Sequence, residues 1–169
     1  MRAANAAHLG PWEPTSPQGT RPDNSFRSYV RWLERSAAEG AMLPFTIEYA
    51  GELVGQAHLF DISRGSQLSG ATGYWLAQKA CGRGIATWAV AMLVDHAFEQ
   101  ADLHRVEVNI RTENAASLRV VRRLGLREEG VRSNFIHIDG AWRTHRSFAV
   151  TVEDLGGRLL QDRLAGGLT

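Results

Sequence analysis

The chain has 169 residues, enough for one domain with a buried core, and 44% of them are hydrophobic against 22% charged. A net charge of +1 gives no global pull toward nucleic acid or a membrane surface, leaving only a local basic cluster at Arg119, Arg122 and Arg123. One cysteine excludes an internal disulfide and suits a reducing cytoplasm; there is no secretory segment, no bilayer-spanning apolar run and no Cys/His set with metal-ligand spacing.

Residues 1–24 are rich in Pro, Gly, Asn and small side chains, and "GPWEPTSPQGTRPDN" reads as an irregular loop with Trp12 as an anchor. Asp23, Asn24 or Ser25 then caps a helix. Its apolar residues Phe26, Tyr29, Val30, Leu33 and Ala37 recur at helical spacing, and Gly40 ends it. Strands follow at 44–50 and 53–62, joined through Gly51-Glu52, and after a polar turn "GATGYWLA" (70–77) makes a third. From Ile85 the period changes, with Trp88, Ala89 and Met92 spaced as a helix that runs to about Ala101. "HRVEVNI" (104–110) alternates as a strand, with Glu107 on its polar face. Asn114 caps another helix, whose apolar side is Leu118, Val121 and Leu124 and which Gly125 stops. "VRSNFIHI" and "AWRTHRSFAVTV" form a hairpin around Asp139-Gly140, and 156–169 are a tail that is a short helix or frays.

Antiparallel strands precede a β-α-β-α-β passage. That order predicts an α+β fold with a mixed sheet and a parallel pair at its middle. No internal repeat or second domain is visible.

"CGRGIAT" (81–87) sits where a strand gives way to a helix. A tight turn needing small residues explains the glycines equally well at first sight. The position also converges backbone N–H groups on a helix N-terminus, where an anion binds, and Arg83 and Thr87 add donors. A dinucleotide fingerprint is a poor match because Thr87 takes the third glycine position, and no Gly-Lys-Ser/Thr follows to make a P-loop. In "RTENAASLRVVRRLGL", Asn114 and Ser117 share one helical face; a plain N-cap with an incidental serine fits them as well.

Taken together, "GRGIAT", then "ENAASLRVVRRLGL", resemble the GNAT superfamily of acyl-coenzyme A-dependent N-acetyltransferases. "HLGPWEP" and "EEGVRSNFIHIDGAWRTH" are similar to the RimJ/RimL-type branch that acetylates N-terminal amines of ribosomal proteins. The resemblance spans about residues 5–155 and implies a V-split mixed sheet flanked by helices, with acetyl-coenzyme A lying in the split between 70–77 and 104–110. It implies that the backbone of Trp75, Leu76 and Ala77 pairs with the pantetheine and that Gly82, Arg83, Gly84, Ile85, Ala86 and Thr87 hold the pyrophosphate. Asn114 would bond the pantetheine arm, with Ser117 near the thioester sulfur.

The sequence departs from that pattern at four places. Cys81 stands where Arg or Gln is usual, Val121 where many members carry a tyrosine acid, and Thr144 where an aspartate precedes His145. The family's first strand is absent, implying a shortened chain or a sheet edge covered by another chain.

An α-amine with a pKa of about 7.7–8.0 needs only modest help to become a nucleophile. The resulting oxyanion can be met by strand amides near Leu76 and Ala77, and the thiolate by the Ser117 hydroxyl. Glu107 is the candidate base; its alternative is a salt-bridged strand carboxylate. Glu13 and Trp12 are candidates for binding the acceptor, while Cys81 reads as a tolerated turn residue and His145 as a packed histidine. The expected activity is direct acetyl transfer to a protein N-terminus, such as that of a ribosomal protein, in the cytoplasm. The reading admits a homodimer and needs neither metal nor a nucleic-acid site. Acetylation of a small-molecule amine, or coenzyme binding without catalysis, are the alternatives.

Overall fold

The computed structural model describes residues 1–18 and 25–165. Its strands are β1 (Met42–Tyr49), β2 (Glu52–Ser63), β3 (Ser69–Leu76), β4 (Arg105–Arg111), β5 (Arg127–Ile138) and β6 (Ala141–Thr151). They form one six-stranded sheet in the order β1-β2-β3-β4-β6-β5. Neighbours are antiparallel except β3 and β4, which run parallel and pair only through Ser69–Ala71 and Arg105–Glu107. Beyond those residues the strands part, so the sheet is split in its middle. The expected mixed α+β architecture with one parallel pair is therefore what forms. Pro44 is tolerated in β1 because that strand lies at the sheet's edge, where a missing N–H breaks no ladder.

Helices α3 (Ile85–Glu99) and α4 (Ala115–Leu124) cover one face. On that face Ala57, Leu59, Val106, Val108 and Ile110 of the strands meet Val90, Val94, Leu118, Val121 and Leu124 of the helices in one apolar cluster. On the opposite face lies α2 (Phe26–Ala38), whose Tyr29 hydroxyl donates to Gln56 Oε1 at 3.1 Å. Ser25 caps α2 by accepting the Ser28 N–H at 3.2 Å; the other two cap candidates, Asp23 and Asn24, lie outside the described residues.

The N-terminal end of the chain departs from expectation. The N-terminal segment is not an irregular loop throughout: it winds through a 3-10 turn at Ala3–Asn5, α1 (Ala6–Leu9) and a second 3-10 turn at Gly10–Trp12. The alanines favour helical turns, Pro11 pre-sets the φ of the last one, and buried Leu9 pins the segment. Pro14 then bridges to Ile138. After β6 comes α5 (Val152–Leu155), and the tail holds α6 (Asp162–Ala165), the short helix of the two expected alternatives, docked rather than frayed. Buried Asp95 accepts the amides of Leu160 and Gln161 at 2.6 and 3.1 Å, and Leu160 and Leu164 sink into the core. β5 begins at Arg127, four residues before the expected strand, because its charged start "REEG" is held on the sheet by arginines.

Candidate active site

Where β3 and β4 part, a cleft of about 790 Å³ opens through the sheet. Its walls are Thr72–Leu76 and Val108–Arg111. On the α3/α4 face it reaches the glycine loop, Asn114 and Ser117; on the opposite face it reaches Trp12, Glu13, Gln56 and His58. Strand alternation explains this division. Thr72, Tyr74 and Leu76 project toward α3, whereas Gln56, His58 and Trp75 project toward the N-terminal segment.

The glycine loop leaves a run of backbone donors open toward the cleft. Gly82 and Gly84 have φ of 77° and 78°, a region side chains rarely adopt, and Gly84 serves as the N-cap of α3. Among the described residues, the amides of Gly82, Arg83, Gly84, Ile85 and Ala86 donate to no protein acceptor. The Thr87 amide is different, since it donates to the Gly84 carbonyl at 3.0 Å; Thr87 is buried and can offer its hydroxyl. Arg83 stacks its guanidinium over Tyr49 at 4.6 Å, so the donor it leaves at the loop is its backbone amide. Cys81 lines the loop with its thiol 3.6 Å from His8 Nε2, and partial burial pushes that thiol's pKa up.

The β3 backbone is more selective than expected. The Ala77 amide donates to the Val54 carbonyl at 2.8 Å, which marks Val54 and Ala77 as a hydrogen-bonded pair. By the antiparallel alternation, the next pair, Gly55 and Leu76, points its amides and carbonyls away from each other. Leu76, and two residues earlier Tyr74, therefore face the split, while Trp75 and Ala77 face β2. Gly55 allows this close approach, because a Cβ there would stand 2.2 Å from the Trp75 carbonyl oxygen.

Asn114 is both cap and cleft residue. Its Oδ1 accepts the Ser117 N–H at 3.1 Å, which leaves its amide nitrogen as a donor toward the cleft. Ser117 sits one turn into α4, beside the phenol of Tyr74. That phenol is pushed up to about 12, chiefly by burial, with Ser117 close enough to lower it somewhat. The two hydroxyls do not form a well-shaped hydrogen bond, and the Tyr74 hydroxyl has no partner.

On the acceptor face Glu13 pairs with Arg2 at 3.0 Å, and the Arg2 guanidinium lies 5.6 Å from the Trp75 ring. Trp12 is held by Arg111, which stacks on it at 5.6 Å and donates to the Pro11 carbonyl at 2.8 Å. Glu107 does not reach the cleft. Its carboxylate is held by Arg105 and Arg132 at 3.0 and 2.9 Å, so it is the salt-bridged strand carboxylate and not a free base. His145 is 3% exposed and donates from Nδ1 to the Arg143 carbonyl at 2.9 Å, the packed role expected for it; burial lowers its pKa.

Two cleft residues went unnoticed in the sequence. His58 has a buried Nε2 with no partner, and its pKa is lowered first by burial and then by the Arg2 charge. The signal was present: Gln56 and His58 are the polar, same-face positions of "GQAHLF". Tyr74 carried a similar signal, being two residues before Leu76 on the same face of β3.

The sequence profile of the acetyltransferase (GNAT) domain matches residues 2–127. A probable N-acetyltransferase, YjcK of Bacillus subtilis, is 36% identical over 102 residues, 60% of this chain and 56% of that protein. The chain thus spans little more than half of that relative. The [ribosomal protein uS5]-alanine N-acetyltransferase of Escherichia coli is 27% identical over 154 residues, 90% of this chain and 79% of its own. Mycobacterium smegmatis RimJ, solved in complex with CoA-disulfide, superposes with a TM-score of 0.91 at 40% identity, covering 98% of this chain and 80% of that one.

Proposed function

This chain belongs to the GNAT acetyltransferase family, and on that premise we propose that it transfers the acetyl group of acetyl-coenzyme A to the N-terminal α-amine of a protein. The observation that carries the reading is the cleft through the sheet, with a loop of free amides on one face and a mouth of Trp12, Glu13 and His58 on the other. The free amides of Gly82–Ala86 receive the pyrophosphate, with Thr87 adding its hydroxyl. Leu76 and Tyr74 offer the β3 backbone to the pantetheine, and the Asn114 amide nitrogen donates to the same arm.

Glu13, one of whose oxygens already accepts from Arg2, accepts from the acceptor's ammonium group through the other, beside Trp12. His58 is neutral near pH 7 and takes the ammonium proton through Nε2, directly or through water. The amine nitrogen then attacks the thioester carbon, and the Leu76 N–H meets the oxyanion. As the carbon–sulfur bond breaks, its electron pair goes to sulfur, where the Ser117 hydroxyl donates a hydrogen bond. The second proton of the attacking nitrogen passes through water to the thiolate, leaving a neutral amide and the free thiol. The Escherichia coli protein similar to this chain over 90% of its length is by name a ribosomal-protein-alanine N-acetyltransferase, which favours a ribosomal protein as the acceptor.

Thiol release measured with peptides beginning in Ala or Ser, beside polyamines and aminoglycosides, tests the acceptor class. Turnover confined to the peptides supports the proposal. Turnover confined to small amines assigns the scaffold to small-molecule acetylation, and coenzyme binding without thiol release on any amine makes it a binding module.

A further inference from the structure

Among the described residues, three buried side-chain polar atoms lack a hydrogen-bond partner: Nε2 of His58, Oγ1 of Thr72 and the Tyr74 hydroxyl. All three residues line the one cleft that crosses the sheet. Buried polar groups are nearly always satisfied, so an orphan calls for a reason, and a shared location calls for a shared one. The Tyr74 hydroxyl is the most constrained. It projects from the part of β3 that has lost its partner β4, on the α3/α4 face, where Ser117 reaches it from the helix.

We propose that Tyr74 is a catalytic residue whose phenol, from β3, donates the hydrogen bond that stabilises the sulfur leaving the thioester. Val121, at the α4 position where many members of the family carry a tyrosine acid, is fully buried in the apolar cluster and has no proton to give. Tyr74 brings a phenol to the same helix from the facing strand. A phenol is a stronger hydrogen-bond donor than the aliphatic hydroxyl of Ser117. The step needs no net transfer from the phenol: the carbon–sulfur pair becomes the thiolate lone pair, and the O–H of Tyr74 points at it. With its pKa at about 12, the phenol keeps its proton throughout. Its orphan hydroxyl in the free protein is then a donor held ready for a sulfur atom.

The inference rests on the coenzyme lying in this cleft. Calorimetric titration of wild type and Tyr74→Phe with coenzyme A and with desulfo-coenzyme A tests it, at a pH where the bound thiol ionises. Wild type should prefer the thiol form by tenfold or more, the worth of a hydrogen bond to a charged partner being about that much, and Tyr74→Phe should remove most of the preference. Ser117→Ala should lower it by less, the aliphatic hydroxyl being the weaker of the two donors. The melting temperature of free Tyr74→Phe should equal or exceed that of wild type, because the lost hydroxyl had no partner. An unchanged ratio in Tyr74→Phe, or a lower melting temperature in the free variant, overturns the proposal. Wild type that binds neither ligand overturns it together with the coenzyme reading, and so is told apart from a failure of Tyr74 alone.

Discussion

Asn114 shows how one residue answers to two readings at once. Its oxygen caps α4 and its nitrogen is left for the cleft, so the cap explanation and the binding explanation do not compete. They can be separated by substitution. Asn114→Ser keeps a capping oxygen and should hold the melting temperature within a degree or two while weakening coenzyme binding. Asn114→Ala should lose both, with a stability cost of about 1 kcal/mol, or roughly 2–4 °C. Thermal denaturation paired with calorimetric titration reads the two effects. Ser117→Ala should lower turnover by about tenfold, the worth of one hydrogen bond, and unchanged kinetics would remove it from the mechanism. Cys81, whose thiol is held above its ordinary pKa, should alkylate more slowly than a free cysteine, with rates followed by mass spectrometry. For Glu107, alternation shows which face the carboxylate takes, not which arginines from β4 and β5 pair with it, so the choice between base and salt-bridged carboxylate was not legible in sequence.

The helices and strands were legible because their periodicities are strong. The amphipathic stripe of α4 and the alternation of β4 each repeat what the packing then uses. The register was not legible. Whether Leu76 or Ala77 turns its amide into the split depends on which β2 residue it faces, and that is fixed by pairing across the hairpin. Gly55 is the clearest case, since nothing around it in sequence distinguishes it from a flexible spot. Placing a methyl group 2.2 Å from the Trp75 carbonyl oxygen must shift β3. Gly55→Ala should therefore cost about 1–3 kcal/mol and weaken coenzyme binding as well, read by urea denaturation and titration. A variant as stable as wild type would show that β3 does not depend on this close approach. The N-terminal helical turns escaped notice for a different reason: their composition is that of a loop, and what orders them is Leu9 beneath and Arg111 from β4.

At the scale of the whole molecule, no helix among the described residues is long and apolar enough to cross a membrane, and the sheet's split is the dominant feature. A ligand bridging the two halves should stabilise them together. At a hundredfold excess over its dissociation constant, acetyl-coenzyme A should add about 2.7 kcal/mol, or roughly 5–10 °C. The cleft also leaves a signature in pH. His58 and His145 are both held below the ordinary value of 6.5, chiefly by burial. Below that pH the unfolded chain binds protons that the folded one refuses, so stability falls as pH drops, until the folded-state values are passed. Glu129 acts later: the Arg105 guanidinium brings it down to about 2, so its contribution is present above the ordinary 4.5 and is lost as pH falls toward 2. Urea midpoints should therefore begin to decline below about pH 6.5, ahead of any carboxylate protonation, and a flat profile down to the carboxylate range would contradict the burial of the two histidines. The central claim remains that coenzyme and acceptor meet in this cleft from opposite faces of the sheet, with a protein's terminal amine as nucleophile. Mass spectrometry on a peptide that starts with Ala and carries an internal Lys, after incubation with enzyme and acetyl-coenzyme A, tests it most directly. The account predicts a single acetyl group on the α-amine and none on a peptide whose N-terminus is blocked; acetylation of the lysine side chain, or of the blocked peptide, would contradict it.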